Sequence, residues 1–114
     1  MALFGNNGGQ MKHMVEKHDW EKLNKKIGDL DVASKVELAT ACGESKDEQS
    51  PFLLILLMKD HDESVQIASV NSLGLVGGQN AKTNLQWLSG HMPNASEQLK
   101  QAIHDAVLKI GNRR

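Results

Sequence analysis

The chain has 114 residues, about the length of one domain, and its composition, 39% hydrophobic and 24% charged, is typical of a globular protein in water. The formal net charge of −1 argues against general nucleic-acid binding and against docking on anionic membranes, because both require a surplus of basic residues. Cys42 is the single cysteine, which excludes an internal disulfide and fits a reducing compartment.

The amino-terminal residues 1–9 are rich in glycine and asparagine, and we expect them to form a disordered tail. They lack the basic start and apolar centre of a signal peptide, and the longest apolar run, residues 52–58, is too short to span a bilayer. We therefore expect a cytoplasmic protein. The remainder, residues 10–112, is predicted to form a single domain.

The first half of this domain reads as a series of short helices. Apolar residues at helical spacing predict a helix over residues 10–17 and a second over 20–27, which Asp19 would cap and Gly28 would end. Asp31 is predicted to cap a third helix over residues 32–43. Polar residues 44–49 then indicate a loop.

The next two helices carry clearer start and stop signals. Ser50 is predicted to cap a helix over residues 51–59, since a proline follows it at the first helical position. That helix is apolar nearly all round, so we expect it to be buried on both sides. A helix over residues 64–76 is predicted to end at Gly77-Gly78.

The carboxy-terminal part predicts two further helices. One covers residues 80–89, and the last begins near Asn94, which with Glu97 has the spacing of a capping box, and is closed by Gly111. The last helix has one apolar stripe, formed by Leu99, Ala102, Ile103, Ala106, Val107 and Ile110. Its other side is polar, which predicts that this helix forms the end of the domain.

Three helix pairs recur along the chain. A shift of 31 positions aligns Asp29 with Asp60 and Gly43 with Gly74, and a shift of 34 aligns Ala68 with Ala102. We therefore predict an all-α fold, a right-handed α-α superhelix (solenoid) of three helix pairs plus a short amino-terminal helix. The predicted repeats cover about residues 19–45, 50–78 and 80–111.

The middle repeat resembles a known family. Residues 60–77 read Asp-His-Asp-Glu-Ser-Val-Gln-Ile-Ala-Ser-Val-Asn-Ser-Leu-Gly-Leu-Val-Gly. They resemble the HEAT-like repeat of the phycobilin-lyase type, which has two aspartates followed by valine-arginine, spaced alanines and leucine-glycine. Residues 15–23 resemble the entry segment of such proteins, and the resemblance covers about residues 11–111. It implies three HEAT-like helix pairs. Gln66 replaces the family's arginine, which puts a ladder of arginine–aspartate pairs between repeats in doubt.

Groups with catalytic or metal-binding chemistry are sparse. The five histidines show no spacing typical of a helical metal site. The sequence also shows no Ser-His-Asp or Cys-His pattern of a catalytic nucleophile and its base. We therefore predict no catalytic, cofactor or metal site. His61, Asp62 and Glu63 could ligate a cation, but turn and helix capping is the favoured interpretation. Cys42 occupies the register of Leu73 and is predicted to be a small buried residue. Trp87 lies either at the edge of the core or on the surface as an interface anchor.

We therefore predict a non-catalytic protein-interaction module or scaffold, with a protein partner and without nucleic acid or membrane. The binding surface is either the concave face of the superhelix or an acidic edge of stacked turns. The candidate partner surface comprises Lys35, Glu37, Asp60, His61, Asp62, Glu63, Gln66, Asn71, Trp87, Gln101 and Asp105.

Two alternatives stay open. One is an accessory or lyase-like subunit that handles a chromophore or another ligand, which the family resemblance implies. The less favoured one is a nucleic-acid-binding HEAT-like module. We expect a monomer or a weak homodimer.

Overall fold

The computed structural model describes residues 9–113, so the predicted tail lies outside the described residues except for Gly9. This part of the chain consists of helices and turns and contains no strand, which confirms the all-α prediction. The helices are α1 (Gln10–Glu16), α2 (Trp20–Lys26), a 3-10 turn (Ile27–Asp29), α3 (Val32–Gly43), α4 (Ser50–Leu57), α5 (Glu63–Val76), α6 (Gln79–His91) and α7 (Glu97–Asn112).

Three helices begin at a side chain that accepts a hydrogen bond from the first turn. Asp31 caps α3, as predicted, by accepting from the backbone N–H of Ser34 at 2.8 Å. Asp62 caps α5 in the same way. The cap of α7 is Ser96, whose Oγ accepts from the N–H of Leu99 at 3.1 Å.

Three predicted caps were wrong. Asp19 precedes α2, but its side chain accepts no hydrogen bond from that helix. Asn94 does not cap α7, because the chain becomes helical only after Ser96, whose hydroxyl is held by Glu63. Ser50 does not cap α4 but lies inside its first turn, with a buried hydroxyl that has no hydrogen-bond partner. The helix begins earlier because Asp47 forms a turn there, accepting from the backbone N–H of Gln49 at 2.8 Å.

Glycine ends only one of the three helices for which it was predicted to do so. Gly77 ends α5, and its N–H donates to the carbonyl oxygen of Leu73 at 2.7 Å. A 3-10 turn continues through Gly28, and α7 continues through Gly111 to Asn112. The backbone stays helical at Gly28 and Gly111, whereas at Gly77 it becomes extended, with φ −78° and ψ 159°.

Helices α3, α5 and α7 pack side by side in that order. Helix α1 packs on α3, α4 packs on α3 and α5, and α6 packs on α7.

Contacts at both ends show that α5 and α7 run parallel. At their starts, Ser96 Oγ donates to Glu63 Oε1 at 2.7 Å. At their ends, the Arg113 guanidinium donates to the carbonyl oxygen of Gly74 at 2.7 Å and to that of Gly77.

Two glycines that the 31-residue shift aligns lie at the close approaches within this row. A Cβ at Gly43 of α3 would lie 2.8 Å from Ser72 Cβ of α5, and a Cβ at Gly74 of α5 would lie 3.1 Å from Ala106 Cα of α7. The Ser72 hydroxyl also donates to the carbonyl oxygen of Ala39 at 2.7 Å. Because glycine has no side chain, the backbones of neighbouring helices approach closely at both places.

The prediction that the middle helix is buried on both sides was wrong. In α4, Leu53, Leu54 and Leu57 are buried, whereas Phe52 is 57% exposed and Leu56 is 51% exposed. Helix α4 packs against α3, α5 and α6, and nothing in the described part of the chain covers its opposite face.

The predicted apolar stripe of α7 is confirmed. Its members are buried, apart from the half-buried Val107. The polar side of this helix is exposed, as predicted, and comprises Lys100, Gln101, His104, Asp105 and Lys109.

Candidate functional site

The largest concave surface among the described pockets is a groove of about 590 Å³ along the row of parallel helices. We call it the groove. It is lined by Thr40 of α3 and by Glu44, which directly follows that helix, by Glu63, Ser64, Ile67, Ala68, Asn71, Ser72 and Leu75 of α5, and by Gln98 of α7. The residues from α5 recur every three or four positions, because they occupy one face of that helix.

The groove has an apolar floor and an acidic lining. Ile67 and Ala68 are half-buried, and Leu75 is 57% exposed. Both ionisable residues in the lining, Glu44 and Glu63, are acidic. Glu44 lies 3.9 Å from Lys12 Nζ, but both side chains are more than half exposed, so that pairing is weak. The groove therefore suits a ligand that is both apolar and basic.

A second concavity, of about 300 Å³, lies where α4 and α6 meet the start of α5. We call it the Trp87 cleft. It is lined by Lys59, Asp60, His61, Gln66, Trp87, Leu88, His91 and Met92.

Trp87 is 46% exposed, which places it on the surface and decides between the two positions considered for it. Its ring stacks on the His91 imidazole with centroids 4.1 Å apart, and Lys59 Nζ lies 5.1 Å from the ring centroid. Sequence reasoning missed Lys59 and His91. The i, i+4 spacing of Trp87 and His91 on one helix was the available signal, because residues so spaced are neighbours on a helix surface.

The predicted partner residues do not form one surface. Glu63 and Asn71 lie in the groove, whereas Asp60, His61, Gln66 and Trp87 line the Trp87 cleft. The remaining ones lie elsewhere: Glu37 accepts from the Gly9 N–H, Asp62 caps α5, Lys35 contacts Asp60, and Gln101 donates to Asp105 on the exposed side of α7.

Gln66 was predicted to belong to the partner surface, but it is buried. The residue is 5% exposed, and its side-chain amide donates to the carbonyl oxygen of Met58 at 3.3 Å and to Met92 Sδ at 3.4 Å. The reason is its position on the face of α5 opposite the groove, where α4 and the segment after α6 cover it. A buried amide needs such partners, since an unpaired one would be costly.

Lys35 and Asp60, which were also predicted to contact a partner, are instead paired with each other. Lys35 Nζ lies 2.6 Å from Asp60 Oδ1, and the two side chains are only 16% and 18% exposed. The hydrogen bond from Lys35 lowers the pKa of Asp60 below its ordinary value. Lys35 precedes Gln66 by 31 positions, the same shift that aligns Gly43 with Gly74. A cation–carboxylate pair therefore joins α3 to the turn before α5.

Cys42 is fully buried, as predicted. Burial raises the pKa of its thiol to about 12, because the low-polarity surroundings disfavour the thiolate. The thiol is thus neither accessible nor activated for nucleophilic chemistry.

Within residues 9–113, no three histidine, cysteine, aspartate or glutamate side chains are grouped so that they could hold a metal ion. In the same part of the chain, no helix has the length and apolar character needed to cross a membrane. No protein-family model, curated protein or solved structure matches this chain.

Proposed function

We propose that this protein is a non-catalytic interaction module of the cytoplasm that binds a basic, amphipathic segment of a partner protein in the groove. The observation that carries the proposal is the apolar floor formed by the half-buried Ile67 and the exposed Leu75, which lies beside the acidic Glu44 and Glu63. Apolar side chains of the partner would cover the floor, and lysine or arginine would pair with the carboxylates. Complementary charge favours the right partner and the right register over others.

We further propose that the fold is a short right-handed superhelix of HEAT-like helix pairs, with α1 closing its amino-terminal end. Three features support it. The parallel helices α3, α5 and α7 pack in order, α4 packs on α5, and α6 packs on α7. The close approaches at Gly43 and Gly74 recur at the repeat length, and Lys35 forms the kind of pair that links repeats in the family. In such folds the stacked second helices line the binding surface, which here is the groove.

The size of the groove favours a short peptide over a folded domain. Its volume lies within the range of pockets that enclose small ligands or a few side chains. A peptide bound in a groove of this size would bury roughly 1,200 Å² of surface or less, which is at or below the small end of protein interfaces. We therefore expect weak and reversible binding.

Selection from a random displayed-peptide library, followed by fluorescence anisotropy of the selected peptides, tests this function. We expect sequences that combine lysine or arginine with leucine, isoleucine or phenylalanine. Leu75→Asp should weaken their binding by about tenfold or more, because it places a carboxylate on the apolar floor.

The matched control is Leu108→Asp. Leu108 is 50% exposed, close to Leu75, but it lies on α7 and outside the groove lining. This variant should bind the selected peptides as the unmodified protein does. A selection that returns no peptide combining basic and apolar residues, or an equal loss of binding of such peptides in both variants, would contradict the groove as the binding site.

A further inference from the structure

We infer that the Trp87 cleft is a second binding site, which takes an acidic peptide segment that inserts one apolar side chain beside Trp87. The groove and the cleft lie on opposite faces of α5, since Gln66 points to the cleft while Ile67, Asn71 and Leu75 point to the groove. The two sites are therefore separate, and neither depends on the other for its ligand.

The ionisable residues that face the cleft favour a negatively charged ligand. They are Lys59, Asp60, His61 and His91. Asp60 is already paired with Lys35, which lies outside the lining, at 2.6 Å. Lys59 forms no salt bridge with any residue between 9 and 113, and its side chain is exposed. The lining thus presents one uncompensated ammonium group and no uncompensated carboxylate.

The cleft also offers an apolar surface that is held in place. Leu88, Met92 and Trp87 all line it, and of these Leu88 is buried and Met92 is half-buried. The stack on His91 and the contact with Lys59 fix the orientation of that ring, so binding orders few additional side-chain torsions. Exposed tryptophans fixed in this way are typical anchors of protein interfaces.

Charge and volume together identify the ligand class. A cleft of about 300 Å³ is at the small end of ligand pockets and accommodates one large side chain rather than a whole domain. Carboxylates on either side of that side chain would reach Lys59 and the imidazoles. A nucleic acid fits less well, because phosphate binding relies on a broad basic surface and this chain has a net charge of −1.

The test uses the full chain and a fluorescently labelled, end-blocked peptide of the sequence Glu-Glu-Glu-Leu-Glu-Glu-Glu, followed by anisotropy. We expect saturable binding that weakens as salt is added, because screening reduces the attraction between exposed charges. The same peptide with glutamine in place of glutamate should bind about tenfold or more weakly.

Two charge reversals locate the site. Lys59→Glu should reduce the affinity for the glutamate peptide by about tenfold, whereas Lys22→Glu, the same change at an exposed position of α2, should leave it nearly unchanged. Both positions are exposed, so both variants should fold, which circular dichroism would check.

The inference would be overturned by any of three results: no saturable binding, equal effects of the two reversals, or tighter binding of an oligothymidylate than of the glutamate peptide. These outcomes leave the groove untouched, because a glutamate peptide would be repelled by Glu44 and Glu63. Failure of the cleft and failure of the groove are thus distinguishable.

Discussion

Single glycines set how closely the parallel helices pack, and Gly43 is the tightest case. We predict that Gly43→Ala destabilises the protein by about 1–3 kcal/mol, because the new methyl group would lie 2.8 Å from Ser72 Cβ and force the helices apart. This cost should exceed the gain of about 1 kcal/mol that alanine brings to a helix. Urea unfolding followed by circular dichroism measures the change.

The control is Gly90→Ala in α6, where no atom lies within 4 Å of the added methyl group. Here the helix preference should act alone and stabilise the protein by up to about 1 kcal/mol. If both variants were stabilised alike, the close approach of α3 and α5 would be wrong.

The repeat register predicts some of these residue environments and misses others. Aligning Cys42 with Leu73 placed two fully buried side chains correctly, whereas the close approaches at Gly43 and Gly74 were not predicted from the alignment of the two glycines. Gln66 could not be placed, because a polar residue is buried only where distant groups satisfy it. One of its acceptors, on Met58, precedes it in the sequence, and the other, on Met92, follows it. The local sequence pattern around Gln66 therefore does not reveal them.

At the scale of helices, Ser96 joins the start of α7 to the start of α5. We predict that Ser96→Ala destabilises the protein by about 0.5–2 kcal/mol, since it removes the cap on the Leu99 N–H. The change also removes the hydroxyl that donates to Glu63. Thermal or urea unfolding is the measurement.

Asn94→Ala is the natural control, because the sequence alone assigns the cap of α7 to Asn94. In the structure Asn94 is exposed and lies before the helix, so its replacement should change stability by less than about 0.5 kcal/mol. A larger effect at Asn94 than at Ser96 would reverse the assignment of the cap.

The existence of the helices was predictable, but several of their ends were not. Periodic apolar residues and the Asp31 cap are local signals, and they gave α3 its observed bounds. The end of α7 depends instead on Arg113, which reaches the carbonyl oxygens of Gly74 and Gly77 almost forty positions away. A glycine was expected to stop that helix, but tertiary contacts extend the helix past it.

At the scale of the molecule, both candidate sites combine residues from separate helices, which limits how far they could be predicted. The sequence assigned Asn71 and Glu63 to the candidate partner surface without placing them on one face, and the structure brings both into the groove. The exposed face of α4 could not be predicted from its apolar sequence, because exposure depends on which neighbours a helix has. Leu75 was missed for the same reason.

The contact between Lys35 and Asp60 connects α3 to the turn before α5, and it should contribute measurably to stability. Both side chains are largely buried, so we expect a coupling of about 1–3 kcal/mol from a double-mutant cycle with Lys35→Met and Asp60→Asn. The pair Glu21 and Lys25 serves as the control. Lys25 Nζ lies 3.8 Å from Glu21 Oε2, but both side chains are mostly exposed, so the pair should show little coupling.

The same contact makes a prediction about pH with a definite sign. Because Lys35 lowers the pKa of Asp60 in the folded protein, the contribution of the pair is present above the unfolded pKa of about 3.8. It is lost as the pH falls through the lower folded pKa, since the carboxylate is then protonated. Urea unfolding between pH 6 and pH 3 should therefore show a smaller loss of stability in Asp60→Asn than in the unmodified protein. Equal losses in the two proteins would mean that Lys35 does not stabilise the Asp60 carboxylate, and that α3 and α5 are held together by apolar packing and the Ser72 hydrogen bond instead.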